Sequence, residues 1–296
     1  MRLFRLHIVL IICLTALLQS CYEDFMPADR DEIIVEGWIE EGEYPVVILT
    51  RSLPVRLRDD AILMEDLSDY VERWAKVTVS DGQKSVILTG GSDDRYVPGY
   101  IYTTSALKGE AGRTYTITVE TRGKVVNAVT SIPQYAPAVD SVVCTRLADD
   151  PQNCQITAYL RNIPDRKEYF RSFYLIGDVE RQFISSYLGV VDDEFADPSF
   201  TMPIIRGATD YDMHEKNRYF PIDTLVSVKI SVMDEVSYGI WMGFEENSRF
   251  SSYFLSSSVR DIPSNITGGR GYWCGYNSFR SVFTVTPGTY AGNITL

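Results

Sequence analysis

The fold class is decided by the stretch Arg113-Thr114-Tyr115-Thr116-Ile117-Thr118-Val119-Glu120, in which large apolar residues alternate with threonines. Because successive side chains of a β-strand point to opposite faces, this alternation predicts a strand with one buried face and one solvated face. Valine, isoleucine, tyrosine and threonine also fit a pleated surface well. The stretch therefore predicts a half-buried strand of an antiparallel sheet.

Segments of the same kind surround this strand and are joined by turn residues. Residues 33–39 and 45–50 bracket Glu40-Glu41-Gly42-Glu43, and residues 75–80 and 85–88 bracket Asp81-Gly82. Gly123 turns the strand around Tyr115 into a further strand at residues 124–130. Glycine favours such turns because it accepts positive φ angles at little cost. About six short strands within about 100 residues predict an immunoglobulin-like β-sandwich. We place it at residues 32–136.

A second β-rich domain is expected at residues 137–296. Pro133 and Pro137 interrupt the strand pattern, and the mature length of roughly 275 residues exceeds the usual size of a single core. Further strands are predicted near residues 141–146, 155–160, 170–177, 183–187, 226–233, 271–276 and 281–285. Residues 234–254 predict one or two helices packed on this antiparallel sheet, with Asp234 as a helix cap and Tyr238, Trp241 and Phe244 on one face.

The N-terminus predicts a lipoprotein signal peptide at residues 1–20. Arg2 and Arg5 precede an apolar run at residues 8–18, which is followed by Leu18-Gln19-Ser20-Cys21. The run is about half of the roughly 20 residues that span a bilayer, so a plain membrane anchor is disfavoured. We expect cleavage before Cys21, acylation of its thiol, and a polar tether at residues 21–31. A membrane is then reached through the lipid.

Charge argues against nucleic acid as a partner. Cleavage would remove two of the 28 basic residues and none of the 40 acidic residues, so the formal net charge would change from −12 to −14. A surface this acidic repels phosphate backbones and anionic lipid headgroups.

Three cysteines follow the lipidation site. Cys144 and Cys154 flank the turn sequence Asp149-Asp150-Pro151, so they could face each other across a hairpin and form a disulfide after export, or remain free thiols. Cys274 is then unpaired and is expected to be a buried small side chain.

No catalytic residue, metal site or cofactor site emerges from the sequence. His214 is the only histidine left after signal removal, and no Gly-x-Ser-x-Gly motif is present. The acidic clusters at residues 192–197 and 210–215 lack the spacing of an EF-hand, so solvated loop charges are the favoured interpretation over calcium binding.

Aromatic residues are dense near the C-terminus, at Tyr272, Trp273, Tyr276 and Phe279. Packing is their expected role in a β-rich domain, with a carbohydrate or peptide platform as the alternative. Tyr272 and Trp273 must point to opposite faces of a strand, which leaves one of them as a possible ligand contact. Trp273 is our candidate.

Several stretches together resemble a large uncharacterised family of Bacteroidota outer-membrane lipoproteins. They are Ile33-Ile34-Val35-Glu36-Gly37-Trp38-Ile39, Pro45-Val46-Val47-Ile48-Leu49-Thr50-Arg51-Ser52, Gly109-Glu110-Ala111-Gly112-Arg113-Thr114-Tyr115 and Asn265-Ile266-Thr267-Gly268-Gly269-Arg270-Gly271-Tyr272-Trp273-Cys274-Gly275-Tyr276. The resemblance covers nearly all of the mature chain. It implies an outer-membrane lipoprotein without established enzymatic activity, of a kind often encoded beside TonB-dependent receptors. Glu23 and Asp24 resemble a surface-export signal of that phylum.

The expected function is therefore that of a non-catalytic outer-membrane lipoprotein, accessory to a TonB-dependent receptor in nutrient uptake. One alternative is a surface glycan or peptide hydrolase, which would require a deep cleft with two or more carboxylates that have no other partner. The other is a structural or adhesive surface module, which the lack of a cleft would favour.

Overall fold

The computed structural model describes residues 32–52, 68–177, 180–194, 198–207, 218–251 and 262–291. The predicted lipidation site Cys21 and the export residues Glu23 and Asp24 lie outside these ranges, as does His214. The chain is mainly β, with several antiparallel sheets, as predicted.

Most of the described elements are strands. In chain order, they are β1 (Ile33–Glu40), β2 (Val46–Arg51), β3 (Lys76–Ser80), β4 (Ser85–Ile87), β5 (Thr89–Ser92), β6 (Tyr100–Thr103), β7 (Thr114–Thr121), β8 (Lys124–Ser131), β9 (Val139–Arg146), β10 (Asn153–Arg161), β11 (Tyr169–Ile176), β12 (Ile184–Asp192), β13 (Ser199–Ile204), β14 (Phe220–Pro221), β15 (Leu225–Met233), β16 (Arg270–Thr284) and β17 (Gly288–Ala291). A short 3₁₀ turn covers Ser68–Tyr70, and helix α1 covers Glu235–Ser251.

These strands form three sheets. The large sheet has eight strands in the order β12-β11-β15-β16-β1-β2-β6-β5. A sheet of five strands has the order β13-β10-β9-β17, with β14 paired to β10, and a sheet of four strands has the order β4-β3-β7-β8. In the large sheet β1 and β16 are parallel, whereas every other neighbouring pair is antiparallel.

The three predicted hairpins of the first region are confirmed. β1 pairs with β2, β3 with β4, and β7 with β8, all antiparallel. Gly82 and Gly123 occupy two of the turns with φ angles of 84° and 74°, a backbone conformation that costs other residues free energy. The alternation around Tyr115 also holds, because Tyr115, Ile117 and Val119 are fully buried.

The large sheet crosses the boundary that we predicted near residue 137. It takes β1, β2, β5 and β6 from the first region and β11, β12, β15 and β16 from the second. The link is β16, which returns late in the sequence and lies beside β1. Nothing local in the sequence reveals this pairing, because the two strands are more than 200 residues apart.

Two hydrophobic cores lie on one face of the large sheet. The first packs β1 and β2 against the four-stranded sheet and includes Trp273 of β16. The second packs β11 and β15 against the five-stranded sheet and includes Phe279 and Phe283, also of β16. Since these three residues are all odd-numbered positions of one strand, both cores share a face. The even-numbered positions of β16 point to the opposite face.

Helix α1 lies on that opposite face, as its sequence pattern predicts. The side chain of Asp234 accepts a hydrogen bond from the backbone N–H of Ser237 at 2.7 Å, which caps the first turn. Trp241 is buried in a cluster with Cys274 and Tyr276, and Tyr238 and Phe244 pack against the same cluster. The predicted helix and its apolar face are therefore confirmed.

The hairpin of β9 and β10 forms, but its two cysteines do not face each other. Cys144 lies opposite Ile156, and Cys154 lies opposite Arg146. Such diagonal neighbours have Cα atoms about 7–8 Å apart, beyond the roughly 4.4–6.8 Å of a disulfide. Both cysteines are buried free thiols in the second core, so the structure agrees with the free-thiol alternative and not with the disulfide.

Candidate functional site

A cleft of about 430 Å³ opens on the face of the large sheet that carries α1. Ligand pockets usually measure about 300–1,000 Å³, so its size suits a small molecule. Side chains from β1, β2, β11, β12, β15, β16 and α1 line it, together with residues 95–97 and 181–183. The cleft therefore combines residues from both sides of the predicted domain boundary.

An ion-pair cluster forms one part of the cleft wall. The carboxylate of Glu40 lies 3.1 Å from Lys229 Nζ and 2.8 Å from Arg280 Nη2, and Arg280 Nη1 lies 2.9 Å from Glu43. Burial opposes the ionisation of Glu40, but the charges of Lys229 and Arg280 outweigh it and hold its pKa below the usual value. Two cations and two carboxylates thus balance each other in charge.

Arg171 of β11 contributes a further cation, which is 8 % exposed. Its guanidinium carbon lies 3.3 Å from the ring centroid of Trp241 and 4.7 Å from that of Phe173. Its nitrogens donate to the hydroxyl oxygens of Ser185 and Tyr276 at 3.2–3.3 Å. Within the part of the chain that the structure describes, none of the ion pairs within 4 Å involves Arg171. Its charge is therefore compensated less well than that of Lys229.

Glu36 of β1 lines the same cleft and is partly buried. Its contact is the hydroxyl of Tyr272, whose oxygen lies 3.5 Å from the carboxylate. Burial raises the pKa of Glu36, and the hydrogen bond with Tyr272 offsets this only in part. Burial also raises the pKa of the Tyr272 and Tyr276 phenols, so both stay neutral. An unpaired charge on any of these three side chains is consequently costly.

Aromatic rings frame the cleft. Trp38 and Tyr96 stand 5.9 Å apart between ring centroids, and Trp241 and Tyr272 stand 4.6 Å apart. Phe183 lies 4.8 Å from the ammonium of Lys229. These rings supply apolar walls around a few charged groups, which is the usual composition of a small-molecule site.

Trp273, our candidate ligand contact, is fully buried on the other face of β16. Its indole N–H donates to the backbone carbonyl of Tyr115 at 3.0 Å, and its ring packs in the first core. The prediction that Tyr272 and Trp273 point to opposite faces is right, but the choice between them is wrong. Tyr272 is the one that lines the cleft.

The sequence of residues 22–281 matches the family profile described as "Domain of unknown function (DUF4249)". The chain belongs to the DUF4249 family. This confirms the resemblance to an uncharacterised family that the sequence suggested. No curated protein matches the chain.

Two buried charged residues of this DUF4249 chain were not predicted from its sequence. Arg171 sits within Tyr169–Ile176 and Lys229 within Leu225–Met233, both of them strands that are almost wholly buried. A charged residue is rarely fully buried unless it is paired, so its position in the middle of an apolar strand is a detectable signal. Both Arg171 and Lys229 carry this signal, which marks them as candidate site residues.

The acidic clusters of this family member do not assemble a metal site in the described ranges. Asp192 accepts a hydrogen bond from the Tyr238 hydroxyl, and Asp193 accepts one from the backbone N–H of Glu168. No group of three or more His, Cys, Asp or Glu side chains there is arranged to hold a metal ion. Asp197 and the cluster at residues 210–215 lie outside those ranges.

Burial keeps the cysteine of β16 in its unreactive thiol form. Cys274 is fully buried, and this burial raises the pKa of its thiol to about 11. It therefore remains protonated at neutral pH, as expected of a small side chain used for packing.

Across the described segments, α1 included, no helix has both the length and the apolar character needed to cross a membrane.

Proposed function

We propose that this protein is a non-catalytic, lipid-anchored protein of the outer membrane that holds a small molecule in its cleft for a TonB-dependent receptor. The observation that carries the proposal is the cleft itself, with its buried charges and aromatic walls. A structural or adhesive module has no use for buried charges, whose desolvation reduces stability.

The carboxylates of the cleft favour binding over hydrolysis. Glu40 and Glu43 are held in ion pairs, which leaves Glu36 as the cleft glutamate without a cationic partner among the described residues. A glycosidase needs two carboxyl groups free to act on the substrate, whereas two of the three glutamates that line the cleft are bound to Lys229 and Arg280. This arrangement disfavours the alternative of a surface glycan hydrolase.

Anchoring is supported by the sequence, whereas receptor association is supported by the resemblance to lipoproteins often encoded beside TonB-dependent receptors. The segment Leu18-Gln19-Ser20-Cys21 has the form of a lipoprotein cleavage site, and Glu23 and Asp24 follow it. The mature charge of −14 argues against attachment to anionic headgroups by electrostatics, so a covalent lipid is the better anchor.

Co-purification from native membranes tests the proposal. The full-length chain carries a C-terminal tag and is recovered from mildly solubilised outer membranes of the bacterium that makes it. We expect a TonB-dependent receptor to be recovered with it in near-equal amount. Failure to recover such a receptor contradicts the accessory role.

Cys21→Ala serves as the matched control, because it removes the acylated thiol and leaves residues 22–296 unchanged. We expect this variant to accumulate as an uncleaved precursor, to carry no radioactive fatty-acid label and to lose the receptor from the recovered material. Labelling that persists in Cys21→Ala contradicts the anchor.

A further inference from the structure

Arg171 has more hydrogen-bond donors than the acceptors around it can use. A guanidinium group carries five N–H hydrogens and no acceptor. Nε and Nη2 each donate to Ser185 Oγ, and Nη1 donates to Tyr276 Oη. One hydrogen on each of Nη1 and Nη2 is left without an acceptor among the described residues.

The position of the group makes these two unused donors costly. The guanidinium is held on the face of Trp241 and lines the cleft, and the side chain is almost fully removed from water. Its contacts to Ser185 and Tyr276 fix its plane but bring no negative charge. A buried cation without a counter-charge is strongly unfavourable, so the arrangement is suited to a ligand that supplies one.

We infer that the cleft binds a small organic molecule through one carboxylate group, which accepts hydrogen bonds from Nη1 and Nη2 of Arg171. The planar edge of a guanidinium matches the two oxygens of a carboxylate, and such paired charge-assisted bonds are among the strongest in proteins. This inference rests on the proposed role of the cleft as a ligand-binding site.

The charge balance of the cleft favours a carboxylate over a phosphate. Lys229 and Arg280 are matched by Glu40 and Glu43, and the cleft residues Arg95 and Arg181 are paired with Asp93 and Asp94. Arg171 therefore adds a single uncompensated positive charge to the wall. Glu36 lies in the same cleft and repels a second negative charge when it is ionised. A monoanion therefore fits better than a dianion.

The aromatic walls indicate what the carboxylate is attached to. Trp241, Phe173 and Tyr276 surround the guanidinium, and Trp38 and Tyr96 also line the cleft, with Trp38 packed against the cluster that contains Trp241 and Tyr276. Flat rings favour a ligand with a ring of its own, because stacked rings bury apolar area in a fixed geometry. The ligand class is thus a ring-bearing monocarboxylate.

Benzoate and benzamide are the probes that test this inference. They share one ring and differ in whether the attached group is an anion. Isothermal titration calorimetry on the full-length protein in detergent should show benzoate binding about tenfold more tightly than benzamide, since charge-assisted hydrogen bonds exceed neutral ones. Equal responses to the two compounds, including no response to either, overturn the inference.

Two variants locate the effect. Arg171→Met keeps an unbranched chain over Trp241 but removes the charge, and it should abolish the preference for benzoate. Arg161→Met is the matched control, because Arg161 is exposed in a surface pair with Asp140, and it should leave the preference intact. A preference that survives in Arg171→Met overturns the inference. If Arg171→Met does not fold, Arg171→Lys replaces it, and the preference should fall several-fold because lysine lacks the two-nitrogen edge.

A structural role for Arg171 predicts a different thermal behaviour. If the guanidinium has no counter-charge until a ligand binds, ligand-free Arg171→Met should unfold at the same temperature as the wild type or higher. The reason is that the substitution removes an uncompensated buried charge. A clearly lower unfolding temperature of a folded Arg171→Met variant counts against the inference. Recovery of the receptor together with equal binding of the two probes would overturn this inference and leave the proposed function standing.

Discussion

Glu36 gives the structure its clearest pH-dependent residue. Burial raises its pKa above the unfolded value of 4.5, so the folded state binds the proton more readily than the unfolded state. Stability from this group is therefore present below the unfolded pKa and is lost as pH rises through the folded pKa. Glu36→Gln removes the titration while the amide oxygen can still accept from Tyr272. At neutral pH we expect the variant to be more stable than the wild type in urea unfolding.

The difference between Glu36→Gln and the wild type should disappear in acid, below the unfolded pKa. Glu120→Gln is the control, because Glu120 is half exposed in a surface pair with Lys76 and should change stability by less than about 1 kcal/mol. A Glu36→Gln variant that is less stable than the wild type at neutral pH would show that the ionised carboxylate has a partner of its own.

Single residues mark the limit of what the sequence could predict. Alternation places Tyr272 and Trp273 on opposite faces of β16, but it does not say which face is the core. That is decided by Gly37, since a Cβ atom there would lie 2.8 Å from the Trp273 ring, and the missing side chain leaves room for the indole. Gly37 and Trp273 lie opposite each other on β1 and β16, strands distant in sequence, so the choice needed the fold.

At the scale of elements, β16 explains the glycine-rich sequence that precedes and enters it. A Cβ atom on Gly269 would lie 2.5 Å from the carbonyl oxygen of Ile33, and one on Gly275 would lie 2.5 Å from that of Ser131. The strand thus runs against the backbones of β1 and of the end of β8. Glycine is required at these two positions because the backbones approach closely.

Alanine substitutions test this packing. Gly275→Ala should reduce the free energy of unfolding by about 2 kcal/mol or more, because its methyl group meets backbone atoms that cannot move aside locally. Gly239→Ala is the matched control in α1, where a Cβ atom meets nothing within 4 Å. It should stabilise the protein by about 0.5–1 kcal/mol through helix propensity. Urea unfolding measures both, and equal effects would contradict the close approach of β16.

Local signals were sufficient for most elements and insufficient for their partners. The turns at Gly82 and Gly123 and the cap at Asp234 are encoded within a few residues, and all three were predicted. The parallel pairing of β1 with β16 joins strands more than 200 residues apart, so no turn or other local signal encodes it. Hydrophobic periodicity states that a strand has a buried face, but it does not name the neighbouring strand.

At the scale of the whole molecule, the cleft and the first core each contain residues from both sides of residue 137. Glu36 and Glu40 come from β1, whereas Arg171, Lys229 and Arg280 come from strands beyond residue 137. The first core also contains Trp273, a large fully buried side chain supplied by β16. Neither region buries its own apolar surface completely without the other.

Separate expression of residues 22–136 and 137–296 therefore tests the shared sheet. We expect neither fragment alone to show a near-ultraviolet circular dichroism signal or a cooperative thermal transition, because each lacks strands that complete its sheet and the first fragment also lacks Trp273. The intact chain should unfold in one transition. Mixing the two fragments is the control that shows whether each can still fold when its partner is present. Complementation should restore part of the near-ultraviolet circular dichroism signal. A first fragment that folds cooperatively by itself would show instead that residues 32–136 form an independent sandwich and that β16 is added to a finished core.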